Sequence, residues 1–242
     1  MANATWKNIE KSPPYQRFKV RLKQLVGKEL KVTPDVCVDC VTDGGWSYDN
    51  RLLNEDSIVY SLGVGDFIDF DLGVIQRCGS QVFAFDPTPV SRSHVGQTNL
   101  PEQFHFYAWA AAGEDGTLTL YPRVKNDGTL STDMFTLQPE PQSANAGIES
   151  PALTIQTMAE KLGHTQIDLL KMDIEGAEYD VIDALLASSI RPRQILIEFH
   201  HRFMENGLQR TADYIEALRR ENYQVMSVCQ ETGREIGFLL RR

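Results

Sequence analysis

Long apolar runs are missing from this chain of 242 residues. No segment approaches the ~20 consecutive apolar residues that a membrane-spanning helix requires. The first residues, MANATWKNIEKSPP, also lack the apolar centre of a secretion signal. These absences predict a soluble, cytoplasmic protein that has no membrane partner.

Basic residues are outnumbered, since 24 Lys and Arg stand against 33 Asp and Glu and the formal net charge is −9. A protein that binds nucleic acid concentrates Lys and Arg on the surface that meets the phosphates. We therefore expect no nucleic acid partner.

Cysteine is sparse as well, with four residues at positions 37, 40, 78 and 229. Cys37 and Cys40 form a C-x-x-C motif, which occurs in zinc and redox sites. A structural zinc site needs four ligands, however, and the sequence has no second close pair of Cys or His. The cysteine content is also too low for a disulfide framework in a chain of this size. We predict reduced thiols and no metal site.

Apolar runs of strand length alternate with helical patterns along the chain. The predicted strands are 57–65, 81–87, 104–112, 167–173 and 193–201, and the predicted helices are 69–79, 151–163, 178–188 and 211–222. This alternation favours an α/β fold, with a mostly parallel sheet and helices on both faces. Residues 223–228 and 235–240 flank a short turn and predict a closing hairpin. Residues 116–123 are predicted to form an inserted strand, and the polar segment 126–150 a mobile loop.

The length and the 42% hydrophobic content fit one large domain. Within it, residues 1–56 are predicted to form an N-terminal cap helix, at 13–26, and a turn-rich flap loop. Residues 57–242 are predicted to form the main domain.

A glycine turn, Gly63-x-Gly65, lies between the first predicted strand and the following helix. Glycine at such a turn lets the backbone approach a ligand closely. Asp86 follows Gly63 by 23 residues at the end of the next strand, near the ~20-residue spacing of an acid that binds a ribose diol. The sequence therefore predicts nucleoside binding, although a structural turn with Asp86 capping a helix would give the same pattern.

Acidic residues around this turn favour S-adenosylmethionine over NAD. The third glycine of G-x-G-x-x-G would fall at Ile68, so the pyrophosphate fingerprint is incomplete. Asp66 and Asp69 would repel a pyrophosphate but attract a sulfonium and an α-amine. An NAD-dependent oxidoreductase and a non-catalytic nucleoside-binding relative of the fold remain the alternatives.

Carboxylates emerge directly after the apolar run at 167–170, in the stretch KMDIEGAEYDVI. Glu178 and Asp180 suit the first turn of a helix, where they complement its dipole. Asp173 and Glu175 lie instead at the strand end and in the turn, which is where ligands bind in an open α/β sheet. We interpret these two as site residues and Glu178 as structural.

Together these motifs resemble the FkbM-type methyltransferases, a family within the class I S-adenosylmethionine-dependent fold. The resemblance rests on residues 167–182, 59–71, 83–89 and 44–48, and on ILIEFHHRF at 195–203. It implies a seven-stranded Rossmann-like sheet whose last strand is antiparallel, and O-methylation as the usual activity.

The resemblance also implies that Gly63, Gly65 and Asp86 hold the cofactor, S-adenosylmethionine. Many class I enzymes have an acid two residues before the first glycine, whereas this chain has Ser61 there. The cofactor's amine is then left to Asp66 or Asp173.

The methyl acceptor is expected to be a hydroxyl on a small molecule or glycan, and it must lose a proton. A positioned base contributes ~10²–10⁴-fold, and the candidates are Asp173, Glu175 and His200. Side chains alternate along a strand, which predicts a cluster of Lys171, Asp173, Glu198 and His200. In that cluster we expect Lys171 to pair with Glu198.

Two loops are candidates for covers over the site. Trp46 and Tyr48 follow two glycines and are predicted to form a flap on the cofactor, since aromatic rings attract a sulfonium. A core position for Trp46 is the alternative. Ser131, Thr132 and Asp133 are predicted to close over the acceptor, unless their loop is simply solvated.

Overall fold

The computed structural model describes residues 11–125, 127–136 and 139–241. The strands in this part of the chain are β1 (Val41–Asp43), β2 (Trp46–Tyr48), β3 (Ile58–Leu62), β4 (Gln81–Phe85), β5 (Phe104–Tyr107), β6 (Ala110–Ala111), β7 (Gly116–Val124), β8 (Leu130–Thr136), β9 (Ile148–Leu153), β10 (Leu169–Met172), β11 (Gln194–Glu198), β12 (Tyr223–Val228) and β13 (Glu235–Leu240). The helices are α1 (Pro13–Leu25), α2 (Asp69–Cys78), α3 (Pro89–Gln97), α4 (Ile155–Leu162), α5 (Glu178–Ala187) and α6 (Gly207–Arg220).

The main sheet has seven strands in the order β12-β13-β11-β10-β3-β4-β5. Strands β5, β4, β3, β10 and β11 run parallel, and β13 lies antiparallel between β11 and β12. This topology confirms the predicted sheet and its antiparallel last strand.

Two hydrophobic clusters cover the two faces of this sheet, because successive side chains along each strand point to opposite faces. In β3, Tyr60 and Leu62 belong to one cluster, and Val59, which points to the opposite face, belongs to the second. A parallel strand covered on both faces carries an almost continuous apolar run, which is why β3, β4, β10 and β11 are recognisable in the sequence.

A second sheet, in the order β6-β9-β7-β8, differs from the sequence prediction, which has only an inserted strand at 116–123 in most of this region. The segment 126–150, expected to be mobile, contains β8 and the start of β9. Helix α4 begins at Ile155 rather than 151, because residues 148–152 pair with β7 instead of coiling. Helix α6 begins at Gly207, four residues earlier than predicted.

The N-terminal part of the chain packs on the same core as the main sheet. The predicted cap helix is α1, which buries Val20 and joins the β12–β13 turn through an Arg17–Glu231 ion pair of 2.7 Å. The predicted flap loop is in fact the β1–β2 hairpin. In the described part of the chain, no helix combines the length and apolarity needed to cross a membrane.

Candidate active site

The carboxyl ends of β3, β10 and β11 meet at one edge of the sheet. Leu62, Met172 and Ile197 are aligned across these three strands. The residues that follow them therefore come together: the glycine turn after β3, Asp173 and Glu175 after β10, and His200 after β11. This edge is where open α/β sheets bind ligands.

The two glycines of the turn have different reasons to be glycine. Both lie in the left-handed region, with φ of 76° at Gly63 and 59° at Gly65. A Cβ on Gly63 would lie 1.7 Å from the carbonyl oxygen of Asp173, whereas a Cβ on Gly65 would meet nothing within 4 Å. Gly63 thus locks the turn against the end of β10, and Gly65 borders open space that a ligand can fill.

Asp86 holds the glycine turn in place. One carboxylate oxygen accepts hydrogen bonds from the backbone N–H groups of Val64 and Gly65, both at 2.9 Å. The other accepts from the backbone N–H and the hydroxyl of Thr88, at 2.8 and 2.6 Å. A carboxylate offers about four acceptor positions, so the predicted grip on a ribose diol requires Asp86 to exchange one of these bonds.

Lys171 does not form the predicted ion pair with Glu198. It is buried, and its Nζ donates to the carbonyl oxygen of Gly63 at 2.6 Å, with Asp173 Oδ2 at 3.9 Å. In the register of β10 and β11, Lys171 lies opposite Leu196. Glu198 instead pairs with Arg234 at 2.8 Å. Arg234 immediately precedes β13. The predicted pairing considered only side chains of β10 and β11, so it could not identify a partner next to β13.

The structure brings His200 together with the other predicted carboxylates. His200 is 5% exposed. Its Nε2 lies 3.8 Å from Asp173 Oδ1, 3.9 Å from Glu175 Oε2 and 3.7 Å from Glu198 Oε1. Its ring stacks on Phe203, with the ring centroids 5.3 Å apart. Asp173, Glu198 and His200 of the predicted cluster therefore lie together, but Lys171 and Glu198 do not pair.

Glu178, interpreted from the sequence as a dipole-complementing residue, has a second role. It is fully buried, and its Oε1 accepts a 2.6 Å hydrogen bond from His200 Nδ1–H and a 3.1 Å bond from Gly176 N–H. Glu178 thereby fixes the orientation of the imidazole. Its place in the first turn of α5, facing back toward the strand ends, was the signal that could have identified it.

The electrostatics of the cluster reflect its excess of carboxylates. Burial alone would lower the pKa of His200, but the hydrogen bond to Glu178 and the charges of Glu178, Glu198 and Glu175 together raise it. Burial, with the charges of Asp173 and Glu235, raises the pKa of Glu198 to about 7. Both pKa directions are those expected where several carboxylates lie close together.

The backbone at Glu175 is strained. Its φ is 54°, in the left-handed region that non-glycine residues seldom occupy. Such a conformation costs on the order of 1–2 kcal/mol and is concentrated at functional sites. The following Gly176 has φ 108°, so this turn directs the Glu175 carboxylate back toward His200.

The aromatic pair of the β1–β2 hairpin is buried. Tyr48 is fully buried and donates its hydroxyl to Asp43 at 2.7 Å. Trp46 is 8% exposed and packs edge-on against Phe70. This burial matches the core position given as the alternative for Trp46, and contact of these rings with the cofactor stays a prediction. The Trp46 ring lies 5.2 Å from Lys171 Nζ, so it supports the floor of the site.

The remaining predicted site residues lie outside the group formed by Asp173, Glu175 and His200. Asp66 is exposed in the turn beside Gly65. Ser131 is buried in β8 and Thr132 is exposed, while the side chain of Asp133 lies outside the described part. The second sheet nevertheless reaches the site, because the Arg123 guanidinium of β7 lies 5.0 Å over the Phe203 ring.

Comparisons with known proteins identify the type of domain. The family profile described as "Methyltransferase FkbM domain" matches residues 57–225. The human "Probable methyltransferase-like protein 24" is 24% identical over 161 residues, which cover 65% of this chain and 36% of that protein. This chain thus spans about a third of that relative's length.

Solved structures with a similar arrangement include a methyltransferase FkbM from Methylobacillus flagellatus KT. It is 13% identical, with a TM-score of 0.47, covering 81% of this chain and 47% of that one. The fibrillarin pre-rRNA processing protein of Methanococcus jannaschii is 11% identical, with a TM-score of 0.46, covering 91% and 74%. The family match, rather than these distant structures, carries the assignment.

Proposed function

The chain belongs to the FkbM methyltransferase family, and from this premise we propose that it transfers a methyl group from S-adenosylmethionine to a hydroxyl. The acceptor in this proposal is a small molecule or a sugar. The observation that carries it is the group of Asp173, Glu175 and His200 directly beside the glycine turn. Net charge of −9 continues to disfavour a nucleic acid acceptor.

The residues of the turn fit the cofactor that the family implies. Open space borders Gly65, and exposed Asp66 beside it suits an α-amine. Asp173 and Glu175 supply negative charge for a sulfonium. Asp86 fits less directly, because two of its four hydrogen bonds hold the glycine turn and the other two go to Thr88. Its role is therefore to shape the cradle and to bind ribose only after exchange of one of these bonds.

When bound, the cofactor supplies an electrophilic methyl group and leaves as a neutral thioether. The protein then has to hold the acceptor oxygen in line with that methyl, and such positioning contributes up to ~7–11 kcal/mol. It also has to remove the hydroxyl proton, which adds ~10²–10⁴-fold. In this proposal Asp173, Glu175 and His200 are the candidates that take this proton.

The alternative of an NAD-dependent oxidoreductase loses its support through the family match. A non-catalytic nucleoside-binding protein of the same fold would keep the glycine turn. It would have no need of three converging groups at the strand ends, one of them on strained backbone. Turnover distinguishes the two.

The test is calorimetry with S-adenosylhomocysteine, followed by a screen of hydroxyl acceptors with labelled S-adenosylmethionine. We expect saturable binding and a higher melting temperature with ligand, since a ligand of the folded state stabilises it by mass action. NAD serves as the control ligand and should not bind. Binding of NAD, or of neither ligand, would contradict the proposal, and binding without any turnover would favour the non-catalytic alternative.

A further inference from the structure

We propose that Asp173, Glu175 and His200 together bind a divalent metal ion. Each of them offers one ligand atom, and the three atoms lie within 4.8 Å of one another. Metal bonds from carboxylate oxygen and imidazole nitrogen are about 2.0–2.2 Å long. Two ligands of one ion are therefore about 3–4 Å apart, so a small contraction of exposed Glu175 completes the site.

The orientation of His200 gives an independent reason for a ligand. Its Nδ1–H is held by buried Glu178 at 2.6 Å, so Nε2 points into the cluster. Among the described residues, no hydrogen bond reaches that nitrogen; its neighbours are three carboxylate oxygens at 3.7–3.9 Å. Metal-binding histidines commonly donate their other N–H to a carboxylate in this way.

The charge balance points in the same direction. Four carboxylates surround His200, at Asp173, Glu175, Glu178 and Glu198. Of the nearest cations, Arg234 binds Glu198, and Lys171 donates to the Gly63 carbonyl while its Nζ lies 3.9 Å from Asp173 Oδ2. Asp173 and Glu175 are partly exposed, with 32% and 62% of their side chains accessible, so solvent screens their charge in part. Four carboxylates beside two basic side chains still leave an excess of negative charge, which a divalent cation between Asp173 and Glu175 would offset.

The ligand types define the class of ion. Carboxylates alone suit Mg²⁺ or Ca²⁺, whereas an imidazole ligand favours transition ions such as Mn²⁺, Fe²⁺ or Zn²⁺. Glu198 is not counted as a ligand, because Arg234 already holds its Oε1. Three protein ligands leave positions open on the exposed side, where the Glu175 side chain is 62% accessible.

These open positions suggest what the ion does, and this step rests on the proposed function. An acceptor hydroxyl bound to a metal ion loses its proton more readily, because the ion lowers its pKa. Acceptors with two neighbouring oxygens would bind best, since both oxygens can reach the ion. Asp173, Glu175 and His200 would then act as ligands rather than as the base, and the released proton would pass to solvent water on the exposed Glu175 side of the site.

The experiment is a titration of the full chain with Mn²⁺, followed by electron paramagnetic resonance, without cofactor or acceptor. We expect about one bound Mn²⁺ per chain and a ¹⁴N coupling from the imidazole in the pulsed spectrum. His200→Ala should abolish that coupling. Glu175→Gln, at an exposed side chain that folding does not require, should weaken binding at least tenfold.

Glu178→Gln tests the positioning of the imidazole. The loss of an outer-shell carboxylate commonly lowers metal affinity about 10–100-fold, with the ¹⁴N coupling retained. The matched control is Asp180→Asn on the same helix, whose side chain is 74% exposed and pairs with Arg210. Its Mn²⁺ affinity should equal that of the wild type.

Two results would overturn the metal site. One is the absence of Mn²⁺ binding at millimolar concentration, and the other is binding that Glu175→Gln and His200→Ala leave unchanged. Either result would favour His200, oriented by Glu178, as a base that acts without a metal ion. Neither depends on the methyltransferase proposal, which S-adenosylhomocysteine binding tests separately.

Discussion

Substituting alanine at Gly63 and at Gly65 separates two functions of the glycine turn, which are packing against the end of β10 and leaving space for the cofactor. Both residues have positive φ, so alanine is strained at either position, by about 1–2 kcal/mol. Only Gly63 is also packed against backbone. Each variant therefore controls for the conformational strain in the other.

The contact at Gly63 sets the size of the difference. An added Cβ would lie 1.7 Å from the Asp173 carbonyl oxygen, where ordinary contact begins near 3.4 Å. The end of β10 would have to move, although its Asp173 N–H is bonded to the Leu62 carbonyl at 3.0 Å. Overpacking of this kind costs about 1–3 kcal/mol, occasionally more. We expect Gly63→Ala to lose about 2–5 kcal/mol in all, and Gly65→Ala about 1–2.

Urea unfolding at pH 7 measures these losses of stability, and calorimetry with S-adenosylhomocysteine measures the affinity for the cofactor product. Gly65→Ala should fold but bind the ligand at least tenfold more weakly, because its methyl group would occupy the open space. Equal stability losses in the two variants would show that the close approach to Asp173 is not real. Unchanged affinity in Gly65→Ala would place the cofactor elsewhere.

The main sheet was predictable from sequence because each of its central strands is buried on both faces. Such strands read as apolar runs, and their ends are marked by Gly63, Asp86 and Asp173. The second sheet was not predictable in the same way. Residues 148–153 carry a pattern that suits either a strand or the start of a helix, and pairing with β7 decides between them.

The site was predictable as far as strand order and alternation determine it. These rules bring Asp173 and Glu198 to the same edge as His200. They do not identify partners that come from other elements. Arg234 reaches Glu198 from the terminal hairpin, and Glu178 reaches His200 from the first turn of α5.

The hairpin aromatics show the limit of composition as a guide. The segment TDGGWSYDN is rich in turn residues, which favoured an exposed loop. Two glycines with positive φ instead form a tight turn between β1 and β2. The hairpin then places Trp46 and Tyr48 against Phe70. Burial of these rings outweighs the local preference for a loop.

Three further predictions concern buried groups. Trp46→Ala should lower the free energy of unfolding by about 3–5 kcal/mol, as for other buried aromatics; a loss below 1 kcal/mol in urea unfolding would return Trp46 to a surface role. Asp86→Ala should destabilise the ligand-free protein by about 1–3 kcal/mol for each backbone N–H left unpaired, and an unchanged melting temperature would contradict its role in the turn. The last prediction concerns Asp71, whose burial, against the charge of Lys171, raises its pKa from 3.8 to about 6. The folded state then binds a proton at Asp71 more tightly than the unfolded state, so the contribution of Asp71 to stability should fall as pH rises from about 4 to about 6. The shift corresponds to a penalty on the order of 3 kcal/mol at pH 7. Asp71→Asn removes that penalty, so it should be more stable than the wild type at pH 7 and equal to it near pH 4 in urea unfolding. If Asp71→Asn is instead less stable at pH 7, attraction to Lys171 outweighs the cost of burial, and the Asp71 carboxylate is a stabilising partner of the lysine beneath the glycine turn.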